Sequence, residues 1–332
     1  RQMCIRDRSK KRRSLGIFRA ASPYVRILLV LWLVVTVVFI SLRLAPGDPA
    51  MLLLGPTAGR QDVAERLDEI RERYGLNRPI IAQYGIYLKD VLTGNLGNSN
   101  RSNRPVLMMI ATAAPITIIL IAWSLLLAIP ISIYFGIMAA RYQGSVFDRI
   151  TRGAATLALA VPSFWIGLLL LNLFAIRLRF FPASGYVPIY EDFLGHIIHI
   201  LLPVTTLAIY IFGTLTRFVY TETADTLEKD YITVSRAMGI KSRPLLFRFA
   251  ARNSLTPMII IVGLETGTLI GGAVIVEEVF GLPGLGRLLL NAVLGRDYPV
   301  VQGTVLAITL AVIFLNLLAE FIYLWLNPQA SK

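Results

Sequence analysis

The sequence predicts an all-α membrane protein with six transmembrane helices and a helical extracytoplasmic cap between the first and second. Composition, span length and the placement of basic residues all point this way. The 332 residues are 55% hydrophobic and 16% charged, with a mean hydropathy of +0.65. Soluble domains carry about 25% charged residues. A soluble fold this poor in charge would leave large apolar surfaces in water, and a disordered chain has the opposite composition. The net charge of +13 and the pI near 10.1 are read as marking cytoplasmic loops rather than nucleic-acid binding. Cys4 is the single cysteine, so neither an internal disulfide nor a thiol cluster can form.

A bilayer core of roughly 30 Å needs about 20 apolar helical residues. The first stretch free of charge lies between Arg26 and Arg43, and those two arginines can snorkel to the headgroups. The second runs from Pro105 to Ala140, longer than one crossing needs. Its early part, VLMMIATAAP, is expected to lie along the interface before the helix turns in. The third is 153–176 and the fourth 193–216. The fifth is 253–276, interrupted by Glu265, and the sixth is 298–319 with a continuation to Leu326. Prolines 115, 130, 162, 203 and 257 fall in or beside these spans. They are tolerated because neighbouring helices can satisfy the freed carbonyls.

Lys and Arg set the orientation. Residues 1–23 hold eight of them, the second-to-third loop has Arg141, Arg149 and Arg152, and the fourth-to-fifth loop holds seven. The short loops on the opposite side hold only Arg177 with Arg179, then Arg287 with Arg296. Residues 45–104 also hold eight, but that loop is long and carries seven acids, and long loops translocate largely regardless of charge. Both termini are therefore expected in the cytoplasm. Residues 1–23 form a basic N-terminus, of which 1–8 read as an assembly scar and are left out of fold reasoning. The first span covers 24–44, the cap 45–104, a five-helix core 105–326 and a cytoplasmic tail 327–332.

Two connections exceed a turn. In the outer one, PGDP at Pro46–Pro49 ends the first helix. Val63, Leu67, Ile70 and Tyr74 then make one apolar stripe on a charged helix, and a second helix is expected across 79–92. This cap could dock a soluble partner, cover a pore mouth or serve as structure alone. The inner connection, 217–252, has helical stretches on both sides of Gly239. Tyr231, Val234, Ala237 and Met238 share a face that could rest on the bilayer or insert into a groove of a cytoplasmic protein.

Absent motifs narrow the class. There is no GxxxxGK[ST], no HExxH and no GxSxG, so neither an ATP site of the P-loop type nor a familiar hydrolase is present. His196 and His199 can share a helix face but lack a third ligand nearby; helix packing is the plainer reading. Only Glu265 stands near the middle of a span. A carboxylate there costs roughly 2.5–3.5 kcal/mol to insert, so it either lines the path or makes a packing or inter-subunit hydrogen bond. Gly263, Gly267 and Gly271 repeat every four residues beside it and allow another helix to approach. One carboxylate without a repeated partner argues against an ion-coupled carrier.

Four stretches carry a resemblance. They are LAPGDPA; ALAVPSFWIGLLLLNLFA with FFPASGY; EKDYITVSRAMGIKSRPLLFRFAARNSLTP; and GGAVIVEEVFGLPGLGRLLLNAVLGRDYPVVQG. The chain resembles the permease subunits of ATP-binding-cassette importers, specifically the first permease of the dipeptide/oligopeptide/nickel group. The general EAA-x3-G pattern is replaced: Thr233, Val234 and Ser235 stand where it has E-A-A, and the I-x-L-P that normally follows is missing.

The resemblance implies the type I permease fold in a prokaryotic inner membrane, and no catalysis in this chain. It implies pairing with a second permease, more often a different one than a copy. Two cytoplasmic ATPase subunits would hold ATP and Mg, and an extracytoplasmic binding protein would deliver short peptides, nickel chelates or a related solute. Asp230, Tyr231, Ser235, Arg236, Ala237 and Gly239 would form the ATPase-coupling loop, with Gly239 permitting a sharp exit from its helix. Glu265 is the candidate on the translocation path.

Overall fold

The computed structural model describes residues 23–44, 67–68, 77–240, 255 and 257–326. Within these residues the regular elements are helices, and one isolated antiparallel bridge pairs Asn98 with Pro105. The basic N-terminus, most of the first cap helix and residues 241–254 lie outside the described residues.

Helix α1 is Pro23–Leu44 and α2 is Ile80–Leu92. Proline suits the first position of α1, where no intrahelical partner for its missing N–H exists. Helix α3, Val106–Arg141, has 36 residues, about 54 Å at a rise of 1.5 Å per residue. No break separates the expected interfacial start from its span: α3 is one continuous helix through Pro115 and Pro130. In its first turns Val106, Ile110 and Ala113 are buried against neighbouring helices.

The third expected span is sharply bent. Residues 153–176 belong to two helices, α4 (Val146–Ala160) and α5 (Ser163–Leu170), the latter running on through π-helical turns Leu171–Arg177. The two halves meet at 102°. Val161 sits before Pro162, whose ring disfavours helical backbone in the preceding residue, and Val161 is extended at φ −91°, ψ 127°.

Helix α6, Phe193–Leu227, outlasts its expected span. Residues 217–227, read from sequence as a helical stretch of the inner connection, are its last three turns. Helix α7 is Asp230–Ala237, α8 is Met258–Phe280, α9 is Leu285–Leu294 and α10 is Tyr298–Leu326. Helix α8 stops at Gly281, whose φ of +66° is the left-handed conformation that glycine adopts without strain.

Helix α6 is the hub, packing on α3, α4, α5 and α8, while α10 packs on α8, α9 and α1. At the crossing of α8 and α10 a Cβ on Gly263 would fall 2.5 Å from the Cβ of Ala319. That is the close approach the glycine repeat suggested. Gly271, however, faces open space, so the repeat serves this contact only in its first turns.

Helices α3, α6, α8 and α10 are long and apolar enough to cross a membrane, and the bent α4–α5 pair makes a fifth where its halves count as one span. The apolar part of α1, Ile27–Ser41, is shorter. One end of the bundle carries α9, the start of α3 and residues 95–104; the opposite end carries α7.

Candidate functional site

Helix α7 leaves the end of α6 and exposes most of itself. Asp230 opens it, where a negative charge favours the helix dipole. Ile232 and Ser235 turn inward and are buried. The Ser235 hydroxyl donates to the Tyr231 carbonyl at 2.7 Å. Tyr231, Val234 and Met238 turn outward, with Met238 69% exposed. Ala237 ends the helix. Gly239 follows at φ +81°, and the Ile240 amide reaches back to the Ser235 carbonyl at 3.2 Å. That six-to-one bond is the signature of a helix ended by a left-handed glycine. Arg236 lies in the helix, and its side chain is outside the described structure.

Glu265 lies half-buried on α8, near Tyr210 of α6. Its Oε2 is buried without a partner. One turn on, Thr268 and Gly271 are exposed. A groove of about 710 Å³ between α3, α8 and α10 is lined almost wholly by apolar side chains, and Glu265 is not part of its wall.

Two further carboxylates sit at the α9 end. Glu277, in the last turn of α8, is fully buried. It accepts from the Thr117 hydroxyl at 2.6 Å and from the Arg287 amide at 3.1 Å. Thr117 in turn accepts the Leu285 amide at 2.8 Å. The first-turn N–H groups of α9, which have no partner within their own helix, thus find acceptors on α8 and α3. Gly284 passes so close to the Glu277 carboxylate that any Cβ there would collide with it. At the other end of α9, buried Asp297 accepts the Ser99 hydroxyl at 2.6 Å and the Asn100 amide at 3.0 Å. This fastens the 95–104 turn to the corner between α9 and α10.

His196 is buried with Nδ1 2.7 Å from the Val187 carbonyl, and Tyr186 meets it edge to face at 5.6 Å. His199 bonds the Gly195 carbonyl of its own helix. Both histidines pack and hold backbone; among the described residues no group of three metal-ligating side chains comes together. Nearby, burial and then Tyr190 push the Tyr186 phenol up. On α2, burial and then Tyr84 push the Tyr87 phenol up to about 12.

Residues 132–332 match the family model described as binding-protein-dependent transport system inner membrane component, and residues 19–121 match its N-terminal companion. The chain belongs to that family. A Brucella abortus protein named as a peptide transport system permease is 36% identical over 300 residues, covering 90% of this chain and 94% of the relative. The oligopeptide transport system permease protein of Bacillus subtilis is 35% identical over 294 residues, covering 88% and 92%. The glutathione transport system permease protein of Pectobacterium atrosepticum is 36% identical over 298 residues, covering 90% and 94%.

The protein is thus a permease subunit of an ATP-binding-cassette importer and a multi-pass inner-membrane protein, and the reading as a stand-alone carrier is not favoured. In this permease the α7 residues named from sequence lie together on one short element, while Glu265 stands apart on α8. Sequence reasoning passed over Glu277, Thr117, Ser99 and Asp297. A signal for the first was present: a carboxylate seven residues before Gly284, in a run with three glycines between Gly281 and Gly286, foretells a tight turn with an acid at the following helix start.

Proposed function

We propose that this permease forms half of a membrane pore, pairing with a second, different permease, and that short peptides or a related small solute pass between them. The names of its relatives support the peptide class. Six spans are counted by taking α1 as the first and the bent α4–α5 pair as the third. The basic loops then put both termini and α7 in the cytoplasm and the α9 end outside. Residues 45–104 form an extracytoplasmic cap beside the docking place of the binding protein.

The observation that carries the coupling is the outward face of α7. An eight-residue helix that exposes Val234, followed by exposed Met238 and a sharp exit at Gly239, suits insertion into a groove of another protein. The partners there are two ATPase subunits, which bind ATP and Mg. Their closure pulls α7 and swings the bundle, a bistable movement biased by nucleotide. Glu265, with Tyr210, lines the path between the permeases. The test is co-purification of the ATPase with the permease carrying Ala237→Asp. Retention of the ATPase at parental stoichiometry, with parental uptake, sinks the coupling assignment.

A further inference from the structure

Two hydrophobic cores hold the described helices. The larger joins the middle of α3 with α5, α6 and α8. The smaller gathers Val106 and Ile110 of α3, Leu285 and Ala292 of α9, and Val300 and Val301 of α10, closed by Leu96 from the 95–104 turn. Helix α3 passes from one core to the other at Pro115. A proline lacks the N–H that would bond the carbonyl four residues earlier, so the ladder is weakest at the boundary.

The Glu277 cluster ties the small block to the large one by hydrogen bonds. Thr117 lies just past Pro115 on α3, Glu277 ends α8, and Leu285 to Arg287 open α9; all three elements meet at one carboxyl group. Burying such a group is unfavourable unless every bond is made, and apolar side chains could fill the space at less cost. In exchange, the carboxyl group admits one pose of α9, because its acceptors must meet particular N–H and O–H donors.

We propose that Glu277 is a positioning residue of the transport cycle. It holds the block of α9 with the adjoining ends of α3 and α10 in its resting pose, and engagement of the binding protein at that end works against these bonds. The fastening therefore sets how far ATP hydrolysis waits for the binding protein. This inference rests on the importer reading.

The test uses the assembled importer in proteoliposomes, with ATP hydrolysis measured with and without the binding protein. In E277Q the side-chain volume and the acceptor for Thr117 are kept, but an amide N–H₂ faces the α9 amides. T117V removes the hydroxyl and T117S restores it. The expected result is several-fold faster hydrolysis without binding protein in E277Q and T117V, a stimulation ratio falling toward one, and a parental ratio in T117S. Parental ratios in E277Q and T117V overturn the proposal, whatever the yield of complex. If E277Q fails to assemble, T117V with T117S decides the matter, because valine deletes the threonine's bonds to Glu277 and the Leu285 amide while the carboxyl group stays, and a parental ratio in T117V overturns the proposal. A parental complex that hydrolyses no ATP at all counts against the importer reading instead.

Discussion

Thr117 of α3 and Glu277 of α8 share a 2.6 Å hydrogen bond in the interior, and the same threonine hydroxyl accepts the Leu285 amide of α9 at 2.8 Å. One hydroxyl thus joins three helices. Thr117→Val keeps the shape and deletes both bonds, leaving a buried acceptor and a buried N–H unmet. Each unmet group costs about 1–3 kcal/mol. Thermal unfolding in detergent should show a clear fall for T117V and nearly none for T117S. Equal midpoints for T117V and the parent would remove the cluster from the list of stabilising features.

The Ser99–Asp297 bond makes a parallel case at the far end of α9. Asp297→Ala leaves the Ser99 hydroxyl and the Asn100 amide without their acceptor, a loss of about 1–3 kcal/mol per buried group. Limited proteolysis should then cut within residues 95–104 faster than in the parent, while cleavage at the α7 end is unchanged. An unchanged cutting rate would mean that the turn is held by its apolar contacts alone.

At the other end of the molecule, Gly239 sits at φ +81°. A side chain in left-handed backbone costs roughly 1–2 kcal/mol, so Gly239→Ala should weaken ATPase association modestly. Gly239→Pro, which cannot adopt positive φ at all, should abolish association or uptake. Membrane insertion should persist in both. Normal uptake with Gly239→Pro would defeat the assignment of α7.

Gly263 gives a packing prediction. Its Cβ position lies against Ala319 on α10, so Gly263→Val should destabilise by about 1–3 kcal/mol through overpacking. Gly271→Ala, with nothing within 4 Å, should be tolerated in the isolated subunit. Thermal midpoints of the pair check this, and a larger fall for Gly271→Ala would contradict the crossing described.

Glu265→Gln tests the path. Because glutamine keeps the size and polarity of the side chain, assembly should be parental while uptake of a peptide falls. Unchanged uptake and stability would dispose of any lining role.

Much of this architecture was legible from sequence. Uninterrupted apolar length found the helices that became α3, α6, α8 and α10, because a bilayer imposes length directly. The boundaries failed where local sterics or packing prevailed. Pro162 broke a stretch whose hydropathy alone reads as one span. Ile110 and Ala113, in a segment that reads as interfacial, are buried in a core with α9 and α10. The coupling residues were legible because they are contiguous, whereas Thr117 with Glu277 and Ser99 with Asp297 join positions 160 and 198 residues apart. No periodicity reports such pairs; they exist only once the helices pack.

The central claim is that the opening force reaches this permease from ATP hydrolysed in a partner chain. Peptide uptake into proteoliposomes holding the assembled importer tests it most directly, comparing parental ATPase subunits with ones whose Walker lysine is replaced. The account predicts that uptake stops with the replaced lysine and that no proton or sodium gradient restores it. Uphill uptake by the permease alone, driven by such a gradient, would contradict it.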